Sequence, residues 1–150
     1  MVVLNKQTRG GSLIAHISEV VGKFSEMAAR LALMANGWTT HRSDTDEAYD
    51  VLAQDPLTNE YVRIQVKTIR QRFDRGNELV VCAKKGNGEI YTKSDADYIV
   101  GVLATEGELP RVWIFENREI GEYWASEARA SERWIELPLT LNRSLYVEAA

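Results

Sequence analysis

The sequence predicts an α/β protein, a mixed β-sheet flanked by helices, and three observations carry that reading. An early segment repeats its apolar residues at steps of three and four, the period of an amphipathic helix. The middle of the chain holds short β-rich runs separated by turn formers. Two of those runs are continuously apolar, as expected for strands covered on both faces. The 150 residues suit a single hydrophobic core, and no repeat or Pro/Gly/Ser-rich linker divides them. Residues 1–150 are therefore read as one domain.

Each element has its own signal. From Ser12 to Asn36, Ile14, Ile17, Val21, Phe24, Ala28, Leu31 and Ala35 form the inward stripe expected of a helix. Ser12 suits an N-cap and Asn36-Gly37 a C-terminal stop. Gly22, costly inside a helix, is read as a mark of close packing. Trp38 to Arg42 is a short strand. Ala48 to Ala53 and Glu60 to Thr68 flank an Asp-Pro-containing turn and form a hairpin. Leu79 to Ala83 is a further strand, Lys85 to Gly88 a loop, and Asp97 to Leu103 and Val112 to Glu116 the two apolar strands. Arg118 to Arg133 is read as partly helical, with Ile120, Tyr123 and Trp124 facing inward.

Bulk properties narrow the setting. No apolar run is long enough to cross a bilayer, and Met1 to Gly11 lacks the charge order of a secretory signal. Cys82 has no second cysteine to pair with, so a reducing, cytoplasmic location is expected. Its apolar run makes it a buried structural thiol. His16 and His41 lack partners at zinc spacing. A net charge of −4 means that any phosphate-binding surface has to be a local basic patch.

The chemistry concentrates around the hairpin. On its second strand Tyr61, Arg63, Gln65 and Lys67 project to one face, while Val62, Ile64 and Val66 project to the other. A symmetric hairpin sets Asp50 nearly opposite Gln65, so Asp50, Gln65 and Lys67 share a face. Hydrolysis of a phosphodiester needs a carboxylate to hold a hard divalent cation, a second oxygen ligand, and a cation near the attacking water. Asp50, the Gln65 carbonyl and Lys67 match those needs. A solvated hairpin face would also show this triplet. Glu26 lies on the helix flank beside Gly22, Ala29 and Leu33. It is either a solvated glutamate or a second carboxylate reaching the site over a close-packed small-residue face.

The order of these pieces is more specific than the triplet. Gly22 to Glu26 with Ala29, Leu33 and Gly37-Trp38 precedes Tyr49-Asp50. Ile64 to Thr68, Tyr91 to Tyr98 and Val112 to Phe115 follow. Across roughly Gly22 to Glu116 the chain resembles the PD-(D/E)XK nucleases, most closely the small intron-encoded homing endonucleases of the cyanobacterial type. The Holliday-junction resolvases are more distantly similar. The resemblance implies a restriction-endonuclease-like core and a Mg²⁺-dependent DNA endonuclease, with Mn²⁺ able to substitute. Glu26 matches the helix glutamate, Asp50 the central metal-binding aspartate, and Lys67 the lysine. Glu26, Asp50 and Gln65 would be the metal ligands. Tyr49 replaces the proline of the family's name. Gln65 stands where most members have an acid, a departure that the homing branch shares.

Beyond the site, Lys67, Arg70, Arg72 and Arg75 oppose only Asp74, a patch suited to phosphates of double-stranded DNA. Lys84, Lys85 and Lys93 are further DNA contacts or solubilising charges. Cutting both strands requires two active sites, so a homodimer or homotetramer is expected. Trp113, Trp124, Trp134 and Tyr123 are candidates for its interface or for the core. Three functions follow: sequence-specific homing-type cleavage, structure-specific cleavage of branched DNA, and a non-catalytic nuclease fold that binds DNA or protein.

Overall fold

The computed structural model describes residues 10–126 and 133–142. Helix α1 (Gly10–Ala35) is followed by β1 (Thr39–His41), β2 (Val51–Gln54), β3 (Tyr61–Thr68), β4 (Arg70–Arg72) and β5 (Glu78–Cys82). Then come β6 (Tyr98–Leu103), β7 (Arg111–Glu116), β8 (Glu122–Trp124) and β9 (Ile135–Glu136). Six strands form one sheet in the order β1-β2-β3-β6-β7-β9, and β4-β5-β8 form a second. Every neighbouring pair is antiparallel except β3 and β6, so the large sheet is mixed and the class is α/β. A parallel pair needs a crossover connection. Here that connection carries β4 and β5, which later take up β8.

The expected hairpin forms. Asp55 donates its N–H to Glu60 O at 2.9 Å, and Asn59, at φ 61°, donates its N–H to Asp55 O at 2.8 Å. The Asp55 carboxylate accepts the Leu57 N–H at 2.8 Å, so the aspartate closes its own turn. Val51 pairs with Ile64, and this register carries Asp50 to the level of Gln65, as the symmetric closure predicts.

α1 stops where Asn36-Gly37 predicts. Gly37 adopts φ 91° and donates its N–H to Met34 O at 3.1 Å. Trp38 donates to Leu33 O at 3.0 Å, which completes a Schellman cap. The face that α1 buries differs from the expected stripe. Ala28 and Ala35 are buried, but Ile17, Phe24 and Leu31 are 52%, 46% and 54% exposed. Ser25, Ala28, Ala29, Ala32 and Leu33 face the sheet instead. Small side chains let the helix backbone come close to a flat surface of Val51, Ile64, Val100 and Val102, and the larger residues are left on the outer side. Ser25 Oγ and Thr68 Oγ1 share a hydrogen bond of 2.7 Å across this contact.

β6 and β7 are covered on both faces, as their continuous apolar runs predict. Val100, Val102, Val112 and Ile114 join the cluster under α1. Ile99, Trp113 and Phe115 join a second cluster with Val81, Tyr91, Tyr123 and Trp134. Phe115 stacks on Trp134 at 4.8 Å between ring centres. Trp113, Trp134 and Tyr123 are thus core residues, while Trp124 is half-buried beneath Arg72 and Arg75.

Two further expectations need adjusting. Of the segment Arg118 to Arg133, expected to be helical in part, residues 118–126 are not helical, while Arg133 is. The chain turns after Asn117 and adds β8 to the open edge of β5, burying Tyr123 and partly burying Ile120. The remaining expected helical positions 127–132 lie outside the described residues. Cys82 is exposed, because alternation at the end of β5 turns Val81 inward and Cys82 out.

Two buried features hold the second sheet to the first. A Cβ on Gly101 would lie 3.0 Å from Val81 Cγ2 and 3.1 Å from Ile69 Cγ1, so glycine permits this close approach. Asn117, 1% exposed, donates through Nδ2 to the carbonyls of Tyr91, Thr92 and Ala96 at 2.9–3.2 Å. Its Oδ1 accepts the Glu119 N–H and the Tyr123 hydroxyl. In urea unfolding, Gly101→Ala is expected to cost about 1–3 kcal/mol through overpacking. Asn117→Ala is expected to cost about 3 kcal/mol by stranding buried carbonyls. Stabilities indistinguishable from wild type would refute these roles.

Candidate metal-binding cleft

Asp50 immediately precedes β2, where the hairpin register holds its backbone against β3. Its N–H donates to Ile64 O at 2.9 Å, and its Oδ2 accepts the Val66 N–H at 2.9 Å. The carboxylate is therefore pinned by main-chain bonds at both ends of the residue. Gln65, on the neighbouring strand, is 8% exposed and donates Nε2 to Val66 O at 3.2 Å. That bond fixes the carboxamide, and among the described residues its Oε1 has no protein donor.

Glu26 comes from α1. With Glu19, Gly22 and Lys23 it forms one wall of an open cleft of about 280 Å³, while Asp50, Gln65 and Val66 form the other. Packing determines where Glu26 stands. Ala29 and Leu33 on its flank are fully buried, and the helix so placed carries Glu26 to the cleft. Gly22 does not mark close packing: it is exposed, with no atom within 4 Å of where a Cβ would stand. Its missing side chain leaves the cleft open.

Lys67 is not part of the cleft wall. Its Nζ donates to Lys84 O at 3.2 Å and stands 5.1 Å from the centre of the Tyr91 ring. Its charge still acts on Asp50, whose carboxyl is held above the ordinary aspartate range. Burial is the main cause, and the negative charge of Glu26 adds to it. The Val66 N–H, Lys67 and Lys23 pull the other way. Sequence reasoning missed Lys23 as part of this site. Its Nζ lies 4.0 Å from Glu26 Oε2, and the signal available was its i,i+3 spacing on one helix face.

Among the described residues no three His, Cys, Asp or Glu side chains converge. Glu26, Asp50 and Gln65 offer two carboxylates and one carboxamide oxygen, an all-oxygen set of the kind that hard divalent cations take, and Glu19 adds a third carboxylate to the cleft lining. Two facing carboxylates, one of them raised by burial and by the other's charge, also form an environment that a cation relieves.

The six expected DNA-contact residues spread over β4, the turn that follows it and the loops between β5 and β6. Arg70 and Arg75 are exposed, and Arg75 packs 5.5 Å over the Trp124 ring. Arg72 makes a bidentate pair with Asp74 at 2.9 and 2.7 Å, which brings the Asp74 carboxyl down to about 2. Lys85 pairs with Asp95 at 2.8 Å and Lys93 with Glu116 at 2.7 Å. Lys84 is exposed, with its side chain over Gly121. Exposed pairs of this kind are weak, so a phosphate can take over either cation.

The raised Asp50 carboxyl gives a stability test in EDTA. A group that binds its proton more tightly in the folded state adds stability at low pH, and that contribution is lost as pH rises through its folded pKa. Asp50→Asn, which keeps an acceptor for Val66, is thus expected to melt above wild type at neutral pH. The advantage should vanish below about pH 4, the unfolded aspartate range. A variant less stable at neutral pH would show that the carboxylate is favourably held.

No known family profile matches the sequence, and neither does any curated protein. The fold does have a solved counterpart. It is similar to the bacterial homing endonuclease I-Ssp6803I, with a TM-score of 0.60 and 16% sequence identity. The likeness covers 77% of this chain and 87% of that one. At this identity the two chains are shown to share a fold.

Proposed function

We propose that the protein is a metal-dependent DNA endonuclease of the PD-(D/E)XK type, cutting double-stranded DNA at a specific sequence as homing endonucleases do. The observation that carries this reading is the convergence of Glu26, Asp50 and Gln65 on one open cleft, from α1 and from the two strands of the hairpin. The shared fold with a homing endonuclease supports it.

In this reading Glu26, Asp50 and the Gln65 carbonyl hold Mg²⁺, with Mn²⁺ as a substitute. The bound cation supplies neutralisation of the scissile phosphate and activation of a water. The chain's own groups do the rest. Val66 N–H and Ile64 O hold Asp50 in place, and the Nε2 bond to Val66 O keeps the Gln65 oxygen available. Lys67 places positive charge near Asp50, where negative charge grows on the phosphate in the transition state. Glutamine at position 65 leaves the site one negative charge poorer than a three-carboxylate site, so weaker cation binding is expected.

Arg70, Arg72 and Arg75 on the β4 side, with Lys84, Lys85 and Lys93, are the groups assigned to phosphates. They contribute the salt-dependent part of affinity. One observation favours a second reading, a non-catalytic binding fold: Lys67 is drawn toward the Lys84 carbonyl and away from the cleft wall.

Cleavage of supercoiled plasmid libraries and of a branched DNA, with Mg²⁺, Mn²⁺ or EDTA, separates these readings. Cutting of one linear sequence is expected with either cation and not in EDTA. Asp50→Ala and Lys67→Ala are each expected to lose about 10²–10³ in rate. Preference for the branched substrate would reassign the protein to structure-specific cleavage. Retained duplex binding without cutting on any substrate would establish the binding fold.

A further inference from the structure

The outer face of α1 carries a pattern that the cleft does not use. Ile17, Val20, Phe24, Met27, Leu31 and Met34 are 41–69% exposed, although all are large and apolar. They fall at alternating steps of three and four, the a/d seam of a two-helix coiled coil. Leu109, 83% exposed, extends the patch into a groove shared with Phe24, Met27 and Leu31. Large apolar residues this exposed and contiguous on one face are the mark of an interaction site.

We infer that this face is where a second copy of the chain docks, with the two α1 helices antiparallel. The six positions are symmetric about the point between Ser25 and Glu26. Reversing the helix therefore sets Phe24 against Met27, Val20 against Leu31 and Ile17 against Met34. The seam is self-complementary, as a two-fold interface requires. Charge agrees. Arg30 borders the seam, and its Nε is buried with no hydrogen-bond partner among the described residues. In the antiparallel pair the partner subunit's Glu19 comes within about 3 Å of Arg30 along the helix axis, on the same flank.

The arrangement also bears on the proposed cleavage, and this part rests on that reading. Glu19, Lys23 and Glu26, which line the cleft, all lie on one flank of the seam. A two-fold axis perpendicular to antiparallel helices keeps both flanks on one side of the dimer. A parallel pair would put the two clefts on opposite sides, where one duplex could not meet both.

Sedimentation velocity of the full chain over a dilution series tests the interface without DNA. Wild type is expected to sediment at twice its 17.0 kDa mass. Met27→Glu and Leu31→Glu, at exposed positions, are expected to keep the wild-type circular dichroism and weaken the dimer about 100-fold or more by placing charge in an apolar seam. Orientation is read by disulfide trapping in a Cys82→Ser background. Val20→Cys with Leu31→Cys should cross-link, and Val20→Cys alone should not. A monomeric wild type, or glutamate variants that remain dimeric, would overturn the interface. Cross-linking by Val20→Cys alone would overturn the antiparallel arrangement. On a cognate plasmid the glutamate variants should still nick one strand while linear product falls about tenfold. A dimer that cuts no DNA would sink the nuclease reading and leave the interface standing.

Discussion

The close approach of α1 to the large sheet sets the rest of the structure. Ala29, Ala32 and Leu33 are fully buried against Val51, Ile64, Val100 and Val102, and the Ser25–Thr68 hydrogen bond fixes the helix along β3. A helix carrying larger residues on that face would stand further from the sheet, since interiors leave no room for extra methylenes. Three consequences follow from the one contact. Glu26 is brought to the cleft, the large apolar residues are turned outward, and Asn36 Nδ2 reaches the Pro138 carbonyl at 2.8 Å. The helix thus ties the last described segment to the same layer.

The opposite face of the sheet is organised by a different device. The β3–β6 crossover brings β4 and β5 over Ile99, Trp113 and Phe115. Gly101 lets the two sheets meet closely, and Asn117 binds the loop before β6 to the turn after β7. Arg63 strengthens the same loop through Asp97 and the Lys93 and Ser94 carbonyls. Lys67 and Lys85 both stand over the Tyr91 ring at the edge of this layer. The basic residues therefore sit on strand ends and loops held by a packed layer.

Electrostatically, the cleft is a place of concentrated negative charge inside a chain that is acidic overall. Burial and Glu26 both work against ionisation of Asp50. The Val66 amide and two lysines work for it, so the carboxylate is held by groups that depend on the hairpin register. Strain of this kind is what an oxygen-ligated cation offsets. The proposed function rests on this balance of charges in the cleft, and the more deeply packed core has nothing comparable among the described residues.

Much of this was legible in the sequence where the cause is local. Turn chemistry around Asp55 and Asn59, the Asn36-Gly37 stop and period-two alternation determined the hairpin, its register and hence the meeting of Asp50 with Gln65. Continuous apolar runs marked β6 and β7, because strands covered on both faces have no polar side. Tertiary structure decided what depends on neighbours distant in the chain. The strongest apolar stripe of α1 lost the sheet to its smaller residues, since backbone proximity outweighed side-chain hydrophobicity. Residues 122–124 became strand because β5 offered an unpaired edge, and Cys82 turned outward with the pleat. Glu26 could be placed only by packing: its helix position was written in the sequence, but which face of the helix the sheet would accept was not.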